Sequence, residues 1–152
     1  MVNTLCIIRG IPGSGKTTKA IELKKSIYPD SVIFEADQFF EKEGSYNFDA
    51  SKLHYAHIEC KQNTETSLIN NIKTVIVSNT FTTLKELKLY FELAKQYNYC
   101  IVVYELPHAP VIEGTQKNIH NVPEETISRM LKRWQNIPFS VVSDFCIKTL
   151  SL

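Results

Sequence analysis

Gly10-Ile11-Pro12-Gly13-Ser14-Gly15-Lys16-Thr17 constrains this chain more than any other stretch. Its pattern, Gly-x-x-x-x-Gly-Lys-Thr, works only between a strand and a helix. Leu5-Cys6-Ile7-Ile8 is an apolar run that reads as a buried strand, and an amphipathic helix is expected from Thr17 to about Ile27. Glycines there let backbone N–H groups turn inward and approach phosphate oxygens with no Cβ in the way. The start of the helix adds its positive end. Lys16 is expected to reach the β- and γ-phosphates, and Thr17 to offer its hydroxyl to Mg²⁺. By composition alone, such a pattern should arise on the order of once in a few hundred chains of this length.

Further along, apolar runs alternate with amphipathic segments. Val32-Ile33-Phe34, Thr74-Val75-Ile76-Val77 and Tyr99 to Leu106 read as strands, and the tail from Phe139 to Leu150 could add a fifth. Helices are expected over Ser51–Ile69, around Leu84, Leu87, Phe91 and Ala94, and after Pro123. Near-continuous apolar strands alternating with helices predict an α/β class. The expected form is a P-loop NTPase fold, a mostly parallel central sheet of about five strands covered by helices on both faces. The 152 residues suit one domain, 1–152. Ligands in such folds sit at the carboxyl ends of the strands.

Composition narrows the function. A net charge of +1 speaks against a long nucleic-acid footprint, though not against a strand end or a single nucleotide. The start of the chain lacks the basic region and cleavage site of a signal peptide, and no apolar run could span a bilayer, so a cytoplasmic protein without membrane contact is expected. Four scattered cysteines predict reduced, mostly buried thiols rather than a disulfide framework. His54, His57 and Cys60 do not converge on a helix, which favours a core thiol over a metal site. A guanine-reading Asn-Lys-x-Asp motif is absent, so ATP is the expected nucleotide.

A general base is sought at the end of the second strand, in Phe34-Glu35-Ala36-Asp37-Gln38-Phe39-Phe40. Phosphoryl transfer needs a group to orient the acceptor hydroxyl and take its proton. Asp37 is placed for that role. Glu35 is the rival, because an alternating strand would put both carboxylates on one side. Phe39, Phe40, Tyr46 and Phe48 surround the expected acceptor side, as core residues or as faces for stacking bases.

Together these motifs resemble the P-loop polynucleotide 5′-hydroxyl kinases. The resemblance runs from about Leu5 to Gln135. It includes Gly-x-Pro-Gly-Ser-Gly-Lys-Thr-Thr, Ala-Asp-x-Phe-Phe, the segment Tyr46–Leu53, Val75–Thr80, Lys117–Pro123 and Ile127–Met130 with Arg133-Trp134. It implies that Gly10, Pro12, Gly13, Ser14, Gly15, Lys16, Thr17 and Thr18 surround the ATP phosphates, with Thr17 on Mg²⁺. It implies that Asp37 is the general base and that a mobile lid around 108–123 brings a cation over the triphosphate. Lys117 stands where the family usually has arginine, and His120 lies in the same segment. Arg129 matches the family pattern for a cation of the lid helix, with Arg133 one turn on. The family often has Asp where Ser78 stands, which would shift metal holding to Asn79 or Asp37.

The acceptor implied is a nucleic-acid end or nucleotide-like hydroxyl, first the 5′-hydroxyl of a polynucleotide. Hydroxymethylated DNA bases, a nucleoside or a sugar are alternatives, as is a nucleotide-binding module without catalysis.

Overall fold

The computed structural model describes residues 2–41, 44–108, 111 and 122–152. Its strands are β1 (Thr4–Arg9), β2 (Val32–Phe34), β3 (Thr74–Asn79), β4 (Cys100–Glu105) and β5 (Ile147–Ser151). Its helices are α1 (Lys16–Ser26), α2 (Leu53–Ile69), α3 (Leu84–Gln96), α4 (Glu124–Arg133) and α5 (Phe139–Phe145). The strands form one sheet in the order β2-β3-β1-β4-β5, and every pairing is parallel. Parallel neighbours need crossover connections, which the helices supply. This is the α/β P-loop NTPase fold.

The inner strands β1, β3 and β4 are mostly apolar because both sheet faces are covered. On one face Leu5, Ile7, Val75, Val77, Ile101 and Val103 pack with Leu68 of α2 and with Leu87 and Phe91 of α3. On the other, Cys6, Ile8, Ile76 and Tyr104 pack with Ala20 and Leu23 of α1. The strand period of two thus sorts consecutive apolar residues into two cores. No helix among the described residues is long and apolar enough to cross a membrane.

The tail supplies the expected fifth strand, at its end and after a short helix. Pro138 starts α5, and Cys146, in the left-handed conformation at φ 53°, ends it and turns the chain into β5. On α2, Ala56, Cys60, Thr64 and Leu68 are buried at helical spacing, whereas Leu53, the first residue of the helix, is 39% exposed. Cys6 and Cys60 are buried as expected, whereas Cys100 and Cys146 are exposed. The apolar stripe of α4 (Ile127, Met130, Leu131) with Trp134 is only half-buried.

Candidate active site

The phosphate-binding loop leaves β1 in the middle of the sheet and enters α1. Gly13 and Gly15 have φ of 84° and 93°, in the left-handed region that favours glycine. Gly15 is the residue that caps α1. At Gly10 the need is space, since a Cβ would run into Ser14 Oγ. Inside the loop the Ser14 N–H donates to the Ile11 carbonyl at 3.2 Å. The Ser14 hydroxyl is buried without a hydrogen-bond partner. An orphaned buried donor beside a helix start fits a phosphate oxygen.

Lys16 folds back over the loop, its Nζ donating to the Ile11 carbonyl at 3.2 Å. Burial pulls its pKa down from 10.5 to about 8, against the nearby Glu35 and Asp37 carboxylates. Thr17 and Thr18 are exposed in the first turn of α1, and Pro12 is half-buried in the loop.

β2 stops at Phe34, so strand alternation does not reach Asp37. Glu35 is extended, and Ala36–Phe40 form a 3₁₀ turn. The two carboxylates therefore part. Glu35 Oε1 accepts a hydrogen bond from the Thr17 hydroxyl at 2.9 Å. Asp37 Oδ1 accepts one from the Tyr46 hydroxyl at 3.4 Å. Burial pushes the Glu35 carboxyl pKa up; the Thr17 hydroxyl pulls it the other way, and the Asp37 charge pushes it further up. The turn is pinned from β3, where Asn79 Oδ1 accepts from the Ala36 N–H at 2.8 Å and Asn79 Nδ2 donates to Cys60 Sγ at 3.6 Å. Asn79 is thus committed to the scaffold, and Ser78 beside it is buried with an unpartnered hydroxyl.

Around Asp37 the aromatics divide. Phe40 is core at 4% exposed, whereas Tyr46 and Phe48 are 37% and 53% exposed. The Tyr46 and Phe48 rings lie 10° from parallel with centroids 6.5 Å apart, and Phe40 meets Phe48 edge-on at 5.1 Å.

The arginines have unequal surroundings. Arg129 on α4 is exposed and donates to Thr126 Oγ1 at 3.2 Å. Arg133 turns back to Thr82 Oγ1 at 3.1 Å. Lys117 and His120, with nearly all of the expected lid, lie outside the described residues.

Sequence reasoning assigned Arg9 no role. It is fully buried, one residue before the loop. It donates to the Phe81 carbonyl at 2.6 and 3.1 Å, to the Gln135 carbonyl at 2.9 Å and to Glu105 Oε1 at 3.4 Å. Its guanidinium lies 3.8 Å from the centre of the Trp134 ring. Burial lowers its pKa to about 10, with Glu105 and Glu86 opposing. The available signal was a charged residue ending an apolar strand in a chain with one tryptophan.

The residues fit Mg²⁺. Mg²⁺ takes hard oxygen donors, keeps several waters and needs few protein ligands. The Thr17 hydroxyl is such a donor beside the loop, and among the described residues no competing cluster of His, Cys, Asp and Glu is set to hold a metal.

A family profile described as an AAA domain matches residues 5–137. Human NEDD4-binding protein 2 is 33% identical over 135 residues, 86% of this chain, which spans only 8% of that protein's length. Among solved structures, a gluconokinase from Sinorhizobium meliloti superposes with a TM-score of 0.60 at 10% identity, covering 98% of this chain and 82% of that one. A chain of the Pnkp1/Rnl/Hen1 RNA repair complex gives 0.55 at 18%, covering 95% of this chain and 43% of that one. At these identities the two structures bear on the fold alone. The chain belongs to the AAA domain family and has the P-loop kinase-like fold.

Proposed function

We propose that the chain is an ATP-dependent kinase that transfers the γ-phosphate to a hydroxyl of a nucleic acid, the 5′-hydroxyl of a polynucleotide first. One observation carries this reading. Asp37 lies near enough to Lys16 to act on its charge, and on its other side stands the exposed, near-parallel Tyr46–Phe48 pair. Asp37 thus neighbours both the loop lysine and the aromatic pair. Aromatic faces accept nucleobases by stacking, worth about 1–3 kcal/mol per base.

In this reading Gly10, Pro12, Gly13, Ser14, Gly15 and Thr18 surround the phosphates, and Lys16 neutralises charge on the β- and γ-phosphates. Asp37 accepts the proton of the attacking hydroxyl, and Tyr46 orients Asp37. Thr17 would hold Mg²⁺, which would supply neutralisation of the phosphate charge. Lys117, from a lid around 108–123, and Arg129, from α4, supply cations within a single domain. The shared fold with a gluconokinase supports a kinase-like reading, and the shared fold with a chain of an RNA repair complex supports a nucleic-acid acceptor.

The test offers γ-labelled ATP and Mg²⁺ with a panel of acceptors: 5′-hydroxyl DNA and RNA, 5′-phosphorylated duplexes with hydroxymethylated pyrimidines, gluconate and free nucleosides. Label on a 5′ end, reduced at least about 100-fold in Asp37→Ala, is expected. Label confined to modified bases, nucleosides or gluconate would move the acceptor. No transfer to any acceptor by an ATP-binding protein would leave a nucleotide-binding module.

A further inference from the structure

We infer that Glu35 is the metal-side carboxylate of this site, contributed by β2 in place of an acid at the end of β3. The inference rests on the proposed kinase reading and gives the two carboxylates after β2 separate tasks. P-loop enzymes hold the nucleotide's Mg²⁺ between the loop Ser or Thr and a strand-end acid. Here the end of β3 offers Ser78 and Asn79, neither of them a carboxylate. Asn79 is occupied by Ala36 and Cys60, and the buried Ser78 hydroxyl has no hydrogen-bond partner.

The register shows where a carboxylate enters instead. Phe34 of β2 pairs with Val77 of β3, so the next residue, Glu35, runs alongside Ser78. β2 lies one strand further from β1 and its loop than β3 does. One strand spacing is about 4.8 Å, and glutamate has one more methylene than aspartate with which to cross it. The crossing is made, since Glu35 Oε1 takes the hydrogen bond of the Thr17 hydroxyl at 2.9 Å. That hydroxyl is the one expected on Mg²⁺. Hydroxyl and carboxylate together form a hard-oxygen pair beside the phosphate cradle, acting directly or through the metal's waters. Asp37, turned towards Tyr46, is left for the acceptor.

The full chain is titrated with Mn²⁺ in the presence of a non-hydrolysable ATP analogue, and bound Mn²⁺ is read by electron paramagnetic resonance. Binding of the analogue without metal is measured alongside. Glu35→Gln keeps the shape and removes the charge. It is expected to weaken Mn²⁺ in the nucleotide complex by about 10-fold or more, as loss of a supporting ligand does. Metal-free analogue binding should hold or tighten, because a negative charge near the phosphates has gone. Adding Ser78→Asp to Glu35→Gln should recover most of the Mn²⁺ affinity. Unchanged Mn²⁺ affinity in Glu35→Gln would overturn the inference, as would an equal loss of metal-free binding. A wild-type chain that binds no nucleotide would instead remove the kinase reading beneath it.

Discussion

Lys16 is a cation kept in a partly buried place before any phosphate arrives. Its native pKa is about 8 against an ordinary 10.5. Between those values the unfolded chain binds more protons than the native one, so stability rises with pH across that window. Below pH 8 Lys16 is charged in both states and works against the fold. Lys16→Met should therefore raise the melting temperature of the ligand-free protein at pH 7, by about 3 °C for each 1 kcal/mol gained at this size. The same variant should lose ATP binding, measured by calorimetry. In the wild type, the Kd for metal-free ATP should climb by up to tenfold per unit above about pH 8, as the Lys16 ammonium is lost. Arg9 makes the opposite case. Arg9→Met would keep some contact with Trp134 and leave the Phe81 and Gln135 carbonyls without their donor. At about 1–3 kcal/mol for each stranded group, the melting temperature should fall by about 10 °C.

At the level of elements, the turn Ala36–Phe40 matters most, because it aims Asp37 away from Thr17 and toward Tyr46. Asn79→Ala removes the acceptor of the Ala36 N–H. Asn79→Ala is expected to cost about 1–3 kcal/mol in chemical denaturation and to lower kcat more than it raises KM for ATP, since the loop itself is untouched. A simpler control is the cap of α3, where Thr83 Oγ1 accepts from the Glu86 N–H at 3.4 Å. Thr83→Ala should cost about 1 kcal/mol and leave nucleotide binding alone. These elements also show what a sequence can convey. β1, α1, β3 and α3 were legible because apolar runs and helical spacing are local. The 3₁₀ turn was not, since the bond that fixes it comes from Asn79, 43 positions away. Nor was α5, a helix of seven residues set by Pro138 and ended by Cys146. Of the candidate site, the loop residues were readable one by one. The parting of Glu35 from Asp37 was hidden behind an assumed continuation of the strand.

For the molecule as a whole, unbroken apolar strands announced helices on both faces, but no pattern within a strand specifies the order β2-β3-β1-β4-β5. That order brings the loop after β1, the carboxylates after β2 and Ser78 at the end of β3 to the same end of the sheet. Nucleotide binding should therefore be felt by the entire fold. At a concentration 100 times its Kd, a nucleotide analogue with Mg²⁺ should stabilise the chain by about 2.7 kcal/mol, or roughly 8 °C by thermal melt, and Lys16→Met should abolish the shift.

The same strand order bears on how the chain is made. Of the five strands β1 is made first, yet its two sheet neighbours are β3, at Thr74–Asn79, and β4, at Cys100–Glu105. During much of synthesis, Leu5, Ile7 and Ile8 are apolar residues waiting for partners that do not yet exist. Pairing so distant in sequence is slow and exposes the waiting strand to aggregation. A nascent chain stalled before Cys100 would carry the whole phosphate-binding motif and still lack β4, one of the two strands that flank β1.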